Sequence, residues 1–69
     1  MEWRPIDFKT ARVRARMSQA ALAAQLGISQ KQLSRFELGR VPLRQEKKQL
    51  AYQIIMETQL RQQDEEDVS

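Results

Sequence analysis

Apolar residues recur at helical spacing along most of the chain, and the pattern breaks at a few small residues. Phe8, Ala11 and Ala15 fall at i, i+3 and i+7, which predicts a first helix over about Ile6 to Arg16 with one stripe facing a core. Pro5 suits its first position, and Asp7 puts a carboxylate where the helix dipole favours one. Lys9, Arg12, Arg14 and Arg16 take the other faces, and Trp3 precedes the helix as a lid on the core. Two short segments follow. Ser18 stands before Gln19 to Leu26 and Gly27 after it; Ser29 stands before Gln30 to Leu38 and Gly39 after it. A serine hydroxyl accepts from an orphan N–H of the first turn, and glycine takes the left-handed conformation that ends a helix. Leu22, Ala23 and Leu26 point inward, Ile28 plugs the turn, and Leu33 and Phe36 share a face with Leu38 nearby.

A long final helix is predicted over about Leu43 to Gln63. Leu50, Ala51 and Ile54 are expected to cap the core. Tyr52, Ile55 and Met56 then make a second stripe, which either packs on Trp3 and the first helix or forms a two-fold dimer contact; the dimer is the preferred expectation. Residues 1–63 read as a single domain, without repeats or an internal linker. Residues 64–69 read as an acidic tail without apolar anchors, expected to be disordered.

Composition narrows the function classes. A 69-residue chain has room for one small domain, which is marginally stable alone. With no cysteine and no histidine, disulfides, thiolate metal sites and the commonest general base are absent. No apolar run reaches the ~20 residues of a membrane span, and the N-terminus lacks a signal-peptide core. The expectation is a cytoplasmic protein that is not an enzyme, with no cofactor, metal, small-molecule ligand or membrane partner. Charge is unevenly placed. Residues 1–40 hold eight Lys and Arg against three acids, and residues 41–69 hold four against six. The basic half contains the two short helices, as a polyanion-binding surface requires.

Two helices so short cannot bury themselves, so the pair reads as a helix-turn-helix over about residues 18–38 that presents its second helix to the DNA major groove. The exposed side of that second helix carries Gln30, Lys31, Gln32, Ser34 and Arg35, with no acid before Glu37. The chain resembles the Cro/C1-type (XRE) helix-turn-helix regulators of bacteria and phages. The resemblance rests on Arg12, Met17-Ser18-Gln19, Leu22-Ala23, Leu26-Gly27-Ile28-Ser29-Gln30, Leu33, Phe36-Glu37 and Gly39, within a run from Phe8 to Ile54. It implies an all-α, compact bundle of four to five helices of the lambda-repressor-like type.

The same resemblance implies roles. Gln30, Lys31, Ser34 and Arg35 are expected to read bases, glutamine suiting adenine and arginine suiting guanine. Gln19, Arg12, Gln32, Arg40 and Arg44 are expected at phosphates. Arg12 and Glu37 are expected to form an ion pair linking the first helix to the end of the third. Glu46 and Lys47 depart from the family pattern, falling where relatives place apolar side chains. The expected function is a sequence-specific transcriptional regulator, in the style of the small repressors of this family though able to activate as well as repress, that binds a short inverted repeat in double-stranded DNA as a homodimer. The alternative is a protein-interaction module, antiactivator or antitoxin-like, whose partner docks on the C-terminal helix.

Overall fold

The computed structural model describes residues 3–67, with side-chain burial described for residues 3–62. Four helices follow in order: α1 (Pro5–Arg14), α2 (Gln19–Leu26), α3 (Gln30–Glu37) and α4 (Gln45–Asp67). No strand occurs among the described residues. The all-α bundle and the helix-turn-helix expected at 18–38 are both present.

Local chemistry sets the helix boundaries. The Arg4 backbone N–H donates to Asp7 Oδ2 at 2.7 Å, holding the start of α1. Ser18 Oγ accepts from the Ala21 N–H and Ser29 Oγ from the Gln32 N–H, each at 3.0 Å. These bonds satisfy donors that the first turn leaves orphaned. The first three helices end alike. Met17, Ile28 and Arg40 donate back five residues to Arg12, Ala23 and Arg35, while Arg16, Gly27 and Gly39 donate to Val13, Ala24 and Phe36. This is a Schellman ending, which needs a left-handed residue. Gly27 and Gly39 supply it at φ 71° and 77°, and Arg16 at φ 59°. The first helix is therefore shorter than expected, because Arg16 turns left-handed instead of continuing it.

The core holds Phe8, Ala15, Leu22, Ala23, Leu26, Leu33, Phe36, Leu43, Ala51 and Ile55. An edge-to-face chain runs from Tyr52 to Trp3 (centroids 4.7 Å), Trp3 to Phe8 (5.2 Å) and Phe8 to Phe36 (5.3 Å). Such arrangements suit the aromatic quadrupole. Trp3 thus closes one end of the core, as expected.

α4 departs most from expectation. It begins at Gln45 instead of Leu43, and its inward line is Lys47, Ala51 and Ile55, continued by Gln59 and Gln62. Ala51 and Ile55 are buried, whereas Leu50 is exposed and Ile54 only packs against the core. Leu38, expected near the core, is also exposed. Polar groups occupy both ends of the inward line and work as caps. Lys47 Nζ donates to the Leu26 carbonyl at 2.6 Å. Gln59 Nε2 donates to the Ala11 carbonyl at 3.3 Å, and Gln62 Nε2 to that of Ala15. α4 therefore satisfies carbonyls at the C-terminal ends of α1 and α2. Its helical backbone continues to Asp67, four residues beyond the expected boundary at Gln63, where no Gly or Pro stops it. Val68 and Ser69, the rest of the expected tail, lie outside the described residues.

Candidate nucleic-acid interface

α3 is the most sharply two-faced element. Leu33, Phe36 and Glu37 are buried, while Gln30, Lys31, Gln32 and Arg35 are exposed and Ser34 is half-buried. Residues four apart share a helical stripe. Gln30 and Ser34 therefore form one line, and Lys31 and Arg35 form the next. A hollow of about 310 Å³ beside this second line is lined by Ser29, Lys31, Gln32, Arg35, Val41 and Pro42. The structure thus joins Lys31, Gln32 and Arg35 to the loop after α3. Arg40 and Arg44 are exposed on that loop.

The acid of α3 is withdrawn from this face. Glu37 is 3% exposed and Arg12 7%. Arg12 Nε donates to Glu37 Oε2 at 2.8 Å and Nη2 to Oε1 at 3.2 Å, a bidentate pair between α1 and α3. Arg12 Nη1 also donates to the Met17 carbonyl at 2.7 Å, and Gln19 Nε2 donates to Glu37 Oε1 at 2.9 Å. No buried side-chain polar atom lacks a partner among the described residues. The expected Arg12–Glu37 pair is present, and of the two roles expected for Arg12 it is the one its geometry occupies. A forked guanidinium–carboxylate pair is directional, so the network fixes the angle at which α3 stands against α1 and α2. It also leaves the outer face of α3 with cations, amides and a hydroxyl only.

The sequence missed two parts of this arrangement. Gln19, which the resemblance puts at a phosphate and in support of Gln30, ties the start of α2 to Glu37. Lys47, noted only as out of place, caps the end of α2 just before the turn into α3. Its cation beside a helix C-terminus is favoured by the dipole, and its departure from the apolar residue of the family pattern was the available signal.

The residues expected at a dimer contact separate. Ile55 is fully buried in the monomer core and is unavailable to a partner, which corrects its assignment. It turns inward because it shares a stripe with Lys47 and Ala51, which phase α4 against the core. Tyr52 keeps an exposed edge beside Trp3, and Met56 is half-buried. No helix among the described residues is long and apolar enough to cross a membrane, and no cluster of acids there suits a metal ion.

Serine-capped helices joined by a left-handed glycine, with a polar, acid-free face on the second, define a helix-turn-helix module. The family model described as a helix-turn-helix domain matches residues 7–51, and the chain belongs to this family, whose members occur in XRE-like regulators. The comparisons with curated proteins and with solved structures returned no match.

Proposed function

We propose that the protein is a cytoplasmic, sequence-specific transcriptional regulator that places α3 in the major groove of duplex DNA. The observation that carries this reading is the outer face of α3. Gln30, Lys31, Ser34 and Arg35 lie on two adjacent stripes, and the helix's one acid is turned inward and neutralised by Arg12. A solvated surface helix would mix signs; a face for reading bases beside phosphates needs donors and cations. Arg35 and Lys31 suit guanine, and Gln30 suits adenine. Gln19, Gln32, Arg40 and Arg44 stand around this face as phosphate contacts.

The protein acts as a homodimer on an inverted repeat whose half-sites lie about one helical turn, ~34 Å, apart. Support comes from the outward stripe of α4, where Tyr52 and the half-buried Met56 are continued at i+8 by the exposed Leu60. That stripe also supports a second reading, a protein partner docked on α4. A gel-shift salt titration separates the two. Regulator activity predicts a preferred duplex whose binding falls steeply with salt; absence of any preferred duplex favours the protein partner.

A further inference from the structure

A second hollow adjoins the recognition face, and of its lining only Arg40 has a DNA-binding role above. It is an open hollow of about 320 Å³ whose lining includes Trp3, Arg40, Val41, Pro42 and Lys48. Val41 and Pro42 also line the hollow beside Lys31 and Arg35, so the two adjoin at the α3–α4 loop. Neither is lined by an acid, although Glu46 lies two residues from Lys48. None of Lys31, Arg35, Arg40 and Lys48 forms an ion pair among the described residues. Neighbouring positions on a helix point about 100° apart, and the adjacent lysines divide accordingly. Lys47 turns in to the Leu26 carbonyl, while Lys48 lines the hollow. The Trp3 ring is held between Phe8 and Tyr52, giving the hollow a fixed aromatic wall.

We propose that this hollow seats a backbone phosphate of duplex DNA, next along the strand from those beside α3, with Arg40 and Lys48 as its cations and Trp3 as its wall. The inference rests on the DNA-binding reading and extends the interface to Lys48 and Trp3. A phosphate contact adds affinity without sequence information. Two cations that form no ion pair among the described residues match a phosphodiester, and the shared Val41–Pro42 wall sets this hollow beside the one next to α3.

The test is a salt titration of binding to a duplex selected by the wild-type protein and to a scrambled duplex, for wild type, Lys48→Ala and Lys9→Ala, each checked for helical content. Lys9 is an exposed cation of α1 that lines neither hollow. Lys48→Ala should weaken both duplexes alike and reduce the slope of log K against log salt by about 1, leaving the specificity ratio unchanged. Lys9→Ala should leave the slope unchanged. Trp3 is the single tryptophan, so its fluorescence reports the seat in the unaltered protein. Saturating duplex should shield it from acrylamide quenching. An unchanged slope for Lys48→Ala together with undiminished quenching overturns the seat alone. An equal slope change for Lys9→Ala assigns the loss to net charge and also overturns it. Wild-type protein that binds no duplex overturns the DNA reading and the seat with it.

Discussion

Replacing Glu37 by alanine removes the carboxylate on which three donors converge. Arg12 Nε and Nη2 and Gln19 Nε2 lose their acceptor, and a guanidinium 7% exposed is left buried without a counter-charge. Breaking a buried pair from one side costs about 3–5 kcal/mol. At roughly 0.05–0.15 kcal/mol per residue, this chain has a total stability of about 3–10 kcal/mol, so the loss is a large share of it. Glu37→Gln keeps one acceptor oxygen and should cost less. Arg12→Met with Glu37→Leu replaces the pair by apolar groups of similar size and should cost little, the part-buried Gln19 amide and Met17 carbonyl turning to water, while removing the directional tie between α1 and α3. Urea unfolding followed by far-UV circular dichroism measures the first effect, and gel shift the second. The expected order of stability is wild type close to the double variant, then Glu37→Gln, then Glu37→Ala, with the folded double variant still impaired on DNA. A Glu37→Ala midpoint indistinguishable from wild type, at the same m-value, refutes the argument.

Three further outcomes follow from the fold. Ile55→Ala should destabilise the monomer by about 2–5 kcal/mol, seen as a lower urea midpoint at protein concentrations where no dimer forms; a loss seen only in dimerisation would return Ile55 to the surface. Arg16→Gly relieves a left-handed L-residue costing about 1–2 kcal/mol and adds a glycine entropy cost of about 0.5–1 kcal/mol. Its melting temperature should rise by a few degrees, and a fall would contradict the observed ending of α1. Asp7 titrates below its ordinary value of 3.8, chiefly because its carboxylate accepts the Arg4 backbone N–H. Its contribution is therefore present above the ordinary value and lost as pH falls through the lower folded one. A carboxyl NMR titration should show a midpoint below 3.8, and Asp7→Asn should lose stability at neutral pH but little at pH 2; a midpoint at or above 3.8 contradicts this.

The central motif was legible because each of its boundaries rests on local chemistry. Ser18, Gly27, Ser29 and Gly39 act through bonds to residues within a turn, and sequence spacing carries that information directly. Leu22, Leu26, Leu33 and Phe36 were likewise found by period. α4 was misphased for the opposite reason. Its inward line starts with Lys47 and ends with Gln59 and Gln62, so a search for apolar stripes sees only Ala51 and Ile55 and prefers the denser run Leu50, Ile54 or Tyr52, Met56. The polar ends make sense only once the carbonyls of Leu26, Ala11 and Ala15 are in place opposite them. Arg16 was missed because no side-chain signal marks it as left-handed. At the site, the Arg12–Glu37 pair came from resemblance, whereas the Gln19 contact and the Trp3–Lys48 hollow depend on tertiary approach that spacing does not encode.

Selection of bound sequences from a random duplex pool, run in parallel with wild type and Arg35→Ala, tests most directly whether the outer face of α3 reads DNA. Wild type should enrich an inverted repeat, and Arg35→Ala should bind the same repeat more weakly with discrimination relaxed at one position of each half-site, at a cost of about 1–3 kcal/mol. A pool that wild type leaves unenriched, or a preference that Arg35→Ala leaves unaltered at every position, would contradict that account.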